Sequence, residues 1–314
     1  MAEKISFNDA LGIFNRPFFT LLYDAHTIHR NNFDEQLIQI STLLSLKTGG
    51  CSEDCAYCAQ SAKNGRKAPK QPMISKDTVM EAAQKAKENG SSRFCMSMSG
   101  RSPSDEEFEY VCDVIKSVKS LGLETCVTLG FLSHDQVKKL KEAGLDYYNH
   151  NVDTSADFYQ NIVTTRSIDD RLNTIEMVQN AGINVCSGGI IGMGETNEDR
   201  VKMLVMLANL PTPPLSVPIN RLVKIPCTPL ENVPDVDNFD FIRTIALARI
   251  LMPTSYVRLS AGRDSMSEEM QALCFFAGAN SMFSGDKLLT VPNAPLPQDI
   301  TMMHKMNLKE AMCA

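Results

Sequence analysis

Residues 93–129 read RFCMSMSGRSPSDEEFEYVCDVIKSVKSLGLETCVTL, and this stretch decides the fold. An apolar run at 93–97 is followed by a helical pattern at 105–121 and a second apolar, β-branched run at 125–129. Ser104 stands at the N-cap, and Ser104-x-x-Glu107 has the form of a capping box, which satisfies N–H groups that a first helical turn leaves unpaired. Gly122 follows the helix at C′, where the chain turns left-handed and glycine does so without strain. Strand, helix and strand in this order form a parallel unit with a right-handed crossover.

The unit recurs along the chain. Strand runs at 38–47, 147–152, 184–191, 216–223, 256–260 and 281–283 alternate with helical patterns at 77–89, 134–143, 169–181, 198–210, 239–251 and 268–278. Gly90, Gly144, Gly182 and Gly278 close helices as Gly122 does, and Ser75 and Ser133 sit at N-cap positions. Eight strands and seven intervening helices, with no second Gly/Pro-rich break, predict an α/β fold closed into a (β/α)8 TIM-type barrel. Such a barrel needs about 250 residues. The Pro-rich piece 211–218 is too short for an interdomain linker. The expected division is an N-terminal helical extension over residues 1–36, helical around 7–22, then a barrel over 37–290 and a short Pro-rich tail over 291–314.

Composition is that of an ordinary globular protein, with 43% hydrophobic and 22% charged residues. A net charge of −6 argues against a sequence-independent nucleic-acid partner. The one compact basic run, KNGRKAPK at 63–70, has no interleaved aromatic and reads as a solvated loop. No signal peptide is read at the N-terminus, and no apolar run approaches the roughly 18 residues of a membrane span. A cytoplasmic location follows, where clustered cysteines serve as ligands or catalysts rather than disulfides.

Three of the ten cysteines, Cys51, Cys55 and Cys58, fall within GGCSEDCAYCAQ (49–60) as C-x3-C-x2-C. A structural zinc site closes its tetrahedron with a fourth Cys or His, but the next histidine is His134. Soft thiolates select zinc, Cu(I) or an iron–sulfur cluster, and three thiolates with an open position fit a cluster with one iron free for another ligand. Cys51 lies just past the first strand, at the barrel end where active sites form. Cys95, Cys126 and Cys186 fall on the second, third and fifth strands. Each alone reads as a small buried hydrophobe; together they mark a second convergent site. Cys112, Cys227, Cys274 and Cys313 are assigned no chemistry.

Polar residues also interrupt strands. In YYNHNVD (147–153), Asn149, Asn151 and Asp153 alternate onto one face and His150 onto the other. Asn220 interrupts the sixth strand, as a satisfied interior amide or a ligand contact. Arg258 interrupts the seventh and needs a counter-charge, either a thiolate-ligated cluster or a carboxylate elsewhere. The run GGIIGMGET (188–196) lacks a full G-x-G-x-x-G and does not read as a dinucleotide site. His134 and His304 have no metal-ligand neighbours.

Taken together, the segments STLLSLKTGGCSEDCAYCAQS, YYNHNVDTS, CSGGIIGMGET, LPTPPLSVPIN, FDFIRTIALARILMPTSYVRLSAGR and AGANSMF followed by KLLT resemble the biotin synthase family of the radical S-adenosylmethionine superfamily. The cysteine triplet alone marks the superfamily; YNHNVDTS, VPIN and VRLSAGR narrow it to the family. The resemblance implies that Cys51, Cys55 and Cys58 hold a 4Fe–4S cluster whose open iron chelates S-adenosylmethionine. It implies that Tyr57 lies beside the adenine, Asn151 and Asp153 at the ribose, and Arg171 near the methionyl carboxylate. Cys95, Cys126, Cys186 and Arg258 would surround a 2Fe–2S cluster, Asn151 and Asn220 would bind the ureido ring of dethiobiotin, and Thr290 its carboxylate tail. The implied activity is sulfur insertion into dethiobiotin, the last step of biotin biosynthesis. The implied partners are a reductant such as flavodoxin or ferredoxin, iron–sulfur assembly proteins, and a second copy in a homodimer.

Guanidinium stays protonated and offers no lone pair, so Arg258 either gives up a proton to the metal or acts as counter-charge. Two other readings remain at this point: a different radical S-adenosylmethionine barrel, such as a hydrogenase-cofactor maturase or carbon-skeleton mutase, and a non-catalytic iron–sulfur or zinc redox sensor. The chain departs from the family pattern at MSMSGRSP after Cys95, at Cys227 before TPL, at Val291 beside Thr290, and in having no Trp. These departures bear on recognition of the substrate's tail.

Overall fold

Two helices precede the barrel, α1 (Phe7–Phe14) and α2 (Phe18–Asn32). The sequence predicts one helical stretch around 7–22. Pro17, at φ −48° and ψ 134°, divides it, because proline lacks an N–H and pushes the residue before it out of the helical region. The computed structural model describes residues 4–65, 68–285 and 287–311; Cys313 and two residues of the basic run, 66 and 67, lie outside them.

The chain then alternates through β1 (Leu37–Lys47), α3 (Lys76–Glu88), β2 (Arg93–Met98), α4 (Asp105–Lys119), β3 (Glu124–Thr128), α5 (His134–Glu142) and β4 (Tyr147–Asn149). It continues with α6 (Ala156–Tyr159), α7 (Ile168–Asn180), β5 (Asn184–Cys186), β6 (Gly189–Ile191), α8 (Asn197–Ala208) and β7 (Ser216–Arg221). The last barrel elements are α9 (Asn238–Leu251), β8 (Tyr256–Leu259), α10 (Glu268–Phe276) and β9 (Ser281–Phe283). Neighbouring staves are parallel, and β9 pairs with β1 through Gln39 and Ser281, Ile40 and Met282, Ser41 and Phe283, which closes the (β/α)8 barrel. The caps act as their residue types require. Ser75, Ser104 and Ser133 accept from backbone N–H groups, the Ser104–Glu107 box is reciprocal, and the five closing glycines are left-handed.

Strand alternation sorts the side chains. On β2, Phe94 and Met96 enter the core shared with the helices, while Cys95 and Ser97 face the barrel's interior. The fifth stave is broken between β5 and β6 at Ser187–Gly188. A Cβ on Gly188 would lie 2.0 Å from the Pro218 carbonyl oxygen, and one on Gly189 would lie 2.1 Å from Met203 Sδ. The Gly-rich run therefore serves close packing at this stave.

The tail beyond residue 290 carries more order than its Pro-rich sequence predicts. β10 (Lys287–Leu288) and β11 (Val291–Pro292) form an antiparallel hairpin, followed by α11 (Leu296–Lys305) and β12 (Lys309–Glu310), which pairs with the start of β1. A buried ion pair, Arg263 Nη2 to Asp299 at 2.6 Å and 2.7 Å, ties α11 to the segment after β8. Among the described residues, no helix is long and apolar enough to cross a membrane.

Two predictions follow from this packing. Gly188→Ala drives a methyl into backbone at the β6–β7 contact, so its urea unfolding curve should show a loss of about 3 kcal/mol. His29 on α2 is buried without a hydrogen-bond partner, and burial, Arg249 and His26 lower its pKa to about 4. Between that value and 6.5 the unfolded chain binds a proton that the native chain refuses, so stability rises with pH across this window. Acidification from pH 7 to 4 should cost up to about 3 kcal/mol through this group. His29→Phe should flatten the slope of metal-free stability against pH by that amount; an unchanged slope excludes the assignment.

Candidate active site

The loop after β1 is tied down from both flanks. Cys51 donates its N–H to Gln60 O (2.9 Å), and Asn64 Nδ2 donates to Cys55 O (3.1 Å) and Cys58 O (2.8 Å). Asn64 belongs to the basic run expected to be solvated, yet it is buried and closes the loop. Between the cysteines, Glu53 is 2% exposed and accepts from Arg101 Nη1 at 2.7 Å and from Thr165 Oγ1, with Arg166 Nη1 at 3.3 Å. Burial would raise the Glu53 pKa, but these hydrogen bonds and charges hold it low. Asp54 accepts from the hydroxyl of Thr164 and its N–H (3.0 Å), and from the hydroxyl (3.0 Å) and N–H (3.3 Å) of Thr165; against partial burial, these bonds, the Thr164 hydroxyl foremost, bring its pKa to about 2. The two acidic residues thus bolt the cysteine loop to the segment before α7. Burial pushes the Cys55 thiol up to about 12, partly offset by Arg166, and raises Cys58 as well.

Asp153 is the next anchor. Its backbone is left-handed (φ 67°), held by Val152 and Asp153 N–H groups that both donate to Gly188 O at 3.1 and 3.2 Å. Its carboxylate accepts from Tyr57 Oη at 3.0 Å and Arg171 Nη2 at 3.1 Å. Burial, and then the Asp153 charge, keep the Tyr57 hydroxyl protonated well above its usual range. One carboxylate at β4's end therefore gathers a residue from the cysteine loop and one from α7.

Deeper in, register brings the second cysteine set together. Cys95 lies opposite Cys126, Asn149 opposite Cys186, and Cys186 opposite Ser216 on adjacent staves. Hydrogen bonds from Cys126 lower the Cys95 and Cys186 thiols and raise its own; the Arg258 guanidinium adds to the lowering against burial. Asn149 Nδ2 donates to Cys186 Sγ at 3.3 Å. Arg258 donates through Nε to Ser281 Oγ (3.0 Å) and through Nη2 to Ser41 Oγ (3.0 Å) and Gln39 Oε1 (3.3 Å). Its guanidinium stands 4.6 Å from the Phe283 ring centroid. Among the described residues no carboxylate forms a salt bridge with Arg258, so the ion pair considered from sequence is not what compensates it. Arg93, 0% exposed, lies 3.5 Å over the Tyr147 ring and donates to Glu124.

A single cavity of about 340 Å³, within the size range of small-molecule sites, joins the two levels. Cys51, Cys58 and Tyr57 line it at one level, Cys95, Cys126 and Arg258 at the other, with Asn149, Asn151, Asp153, Arg171 and Asn220 between. Thr290 and Val291 reach it from the β10–β11 hairpin. Cys55 and Cys186 lie just behind the lining. Asn220 donates to Gly189 O (3.0 Å) and accepts from Ala261 N (3.2 Å), leaving one N–H and one lone pair of its amide. His150 points away, buried with both ring nitrogens unpartnered. Cys112 and Cys274 are buried and Cys227 is exposed, all apart from the lining. Sequence reading missed Glu53, Asn64, Tyr159 and Arg166; their loop segments carry no periodicity, and only the charges inside a cysteine loop offered a signal.

Among the described residues, no three His, Cys, Asp or Glu side chains converge as ligands of one metal ion do. Thiolates that each take a different iron of a cluster stand further apart. The donor sets, three thiols without a fourth above and three thiols beside a cation below, fit clusters.

Residues 45–207 match the Radical SAM superfamily, and residues 218–309 match the Biotin and Thiamin Synthesis associated domain. Methylornithine synthase has the same fold, at TM-score 0.83 and 19% identity over 99% of this chain and 96% of that one. The chain belongs to the radical S-adenosylmethionine superfamily, whose members use that cofactor with an iron–sulfur cluster, and the matched residues include the triplet loop at the barrel's mouth. It is 55% identical over 302 residues to the biotin synthase of Cronobacter sakazakii, covering 96% of this chain and 87% of that protein. It is 54% identical over 301 residues to that of Aromatoleum aromaticum, covering 96% and 92%. Within the superfamily the chain belongs to the biotin synthase family, enzymes that form biotin by sulfur insertion.

Glu53→Ala should release the bolt between the two loops and leave Arg166 under-compensated. Metal-free protein should lose about 3 kcal/mol in urea, and amide exchange should accelerate at residues 160–166. Exchange confined to its wild-type rate there would show that the bolt carries no load.

Proposed function

We propose that this chain inserts sulfur into dethiobiotin using S-adenosylmethionine bound at a 4Fe–4S cluster on Cys51, Cys55 and Cys58, with the sulfur held in a 2Fe–2S cluster at Cys95, Cys126, Cys186 and Arg258. The observation that carries this reading is one cavity lined by thiols of both sets with amide side chains between them. When bound, these cofactors supply the one-electron radical chemistry and the sulfide that acid–base groups cannot provide at unactivated C–H bonds.

The chain's own residues bind and orient. Asp153 is held by Tyr57 and Arg171 as a fixed acceptor, suited to the ribose hydroxyls. Tyr57 borders the same space and suits the adenine, while Arg171, already turned to an anion, suits the methionyl carboxylate. Asn220 keeps one donor and one acceptor beyond its backbone bonds. With Asn151, that matches a ureido ring, which presents a carbonyl and two N–H groups. Thr290 suits the carboxylate tail, and Val291 adds no hydroxyl beside it. Arg258, fixed by three neutral acceptors, supplies the positive charge that a thiolate-ligated cluster needs, whether or not it also gives up a proton to the metal. Closed staves and packed helices exclude water and hold reacting groups in register.

A flavodoxin or ferredoxin as reductant, iron–sulfur assembly proteins and a homodimer rest on the family resemblance. A cytoplasmic location, and the division into an extension over 1–36, a barrel over 37–290 and a tail over 291–314, rest on the sequence pattern.

The test is anaerobic reconstitution with iron and sulfide, then incubation with S-adenosylmethionine, dethiobiotin and a reductant. Biotin and 5′-deoxyadenosine are expected, and the absence of both sinks the proposal. Cys55→Ala should lower S-adenosylmethionine cleavage at least 100-fold. Cys186→Ala should chiefly remove the second cluster's absorption and biotin formation; full biotin yield with a normal second-cluster spectrum would refute the two-cluster assignment.

A further inference from the structure

Arg166 carries no motif, yet it occupies the corner where the cysteine loop meets Asp153. Its side chain is 7% exposed. Nη2 donates to Cys55 Sγ at 3.2 Å and lies 3.8 Å from Asp153 Oδ2; Nε donates to Tyr159 Oη at 2.9 Å; Nη1 stands 3.3 Å from Glu53 Oε2. The fork is therefore fixed on three sides, with one branch on a sulfur. Glu53 does not absorb the whole of this charge, because Arg101 also pairs with it at 2.7 Å. Asp153 is likewise shared with Arg171 at 3.1 Å. Three guanidinium groups thus face two carboxylates at this corner, with Arg166 the one on the Cys55 sulfur.

We propose that Arg166 is a positioning residue that raises the electron affinity of the cluster held by the triplet, through a charged N–H hydrogen bond to the Cys55 sulfur. The inference rests on the reading of Cys51, Cys55 and Cys58 as ligands of that cluster. Reduction adds one negative charge, part of which resides on the ligating sulfurs. A cation fixed at hydrogen-bond distance in a shell of Ala56, Tyr159, Ile162 and Met193 stabilises the reduced form more than the oxidised one. Guanidinium cannot discharge by losing its proton, so the effect persists at every working pH. Its pinned geometry also means that little reorganisation accompanies the electron.

The experiment compares reconstituted full-length wild type, Arg166→Gln, Arg166→Lys and Arg101→Gln. Iron content establishes loading, and the EPR signal of the reduced four-iron cluster is followed against applied potential without S-adenosylmethionine. Arg166→Gln should retain the cluster but show a reduced-to-oxidised ratio about tenfold lower at fixed potential, a shift of about 59 mV for one electron. Arg166→Lys, which keeps the charge but not the fork, should show about a threefold fall. Arg101→Gln, which touches Glu53 but not the sulfur, should change the ratio less than twofold. A fully loaded Arg166→Gln with an unshifted potential overturns the inference and leaves the ligand assignment standing. A four-iron signal that survives Cys55→Ala overturns the assignment beneath it. If Arg166→Gln does not fold or take up iron, Arg166→Lys decides, and an unshifted potential there overturns the proposal.

Discussion

Arg258 is 1% exposed on β8, and the groups that hold it are two hydroxyls and an amide oxygen. A guanidinium so placed carries a desolvation penalty of several kcal/mol that neutral acceptors offset only in part. The interior is therefore built to receive negative charge. Cys95 and Cys186, with thiols already lowered beside it, are the nearest source, and the rest of the barrel arranges itself around that demand. Strand register sets Cys95 and Cys126 side by side on β2 and β3 and brings Cys186 in on β5, one stave beyond β4, and the break after Cys186 lets Gly188 close against Pro218.

The mouth solves a different electrostatic problem. There the carboxylates Glu53 and Asp153 are buried too, but each is met by two guanidinium groups, which tie the loop that presents Cys55 to its neighbours. The two levels differ accordingly. The upper one sets three guanidinium groups against two carboxylates beside thiols held up by burial, whereas the lower one has a guanidinium with no carboxylate partner at all among the described residues. Between them the cavity is lined by amides, Asn149, Asn151 and Asn220, whose orientations are set by backbone and thiol partners.

Most of the barrel was legible in the sequence because its signals are local. Serine caps, C′ glycines and apolar runs are each read within a few residues, and the Cys51–Cys58 spacing needs no tertiary knowledge. Pro17 was the exception within reach, a helix breaker that the pattern around 7–22 overrode. The hairpin at 287–292 and α11 were hidden because short strands and a Pro-initiated helix have little periodicity, and the Arg263–Asp299 pair that holds α11 spans 36 residues. Glu53 and Arg166 were hidden for another reason. A charge in a loop reads as solvated, and only the folded loop reveals that its partner lies about 110 residues away, as the Arg166–Cys55 separation of 111 shows.

Barrel closure also orders events in time. The hydroxyl of Ser281 reaches Gln39 across 242 residues, and Arg258 reaches Ser41 across 217. The polar nest around Arg258 therefore does not exist while the chain is still being made; it forms only when the last stave meets the first, and contacts of such separation are slow to form. β12, from the end of the chain, pairs with Leu37 and Ile38 of the same first strand, so it too waits on a contact between the two ends of the sequence.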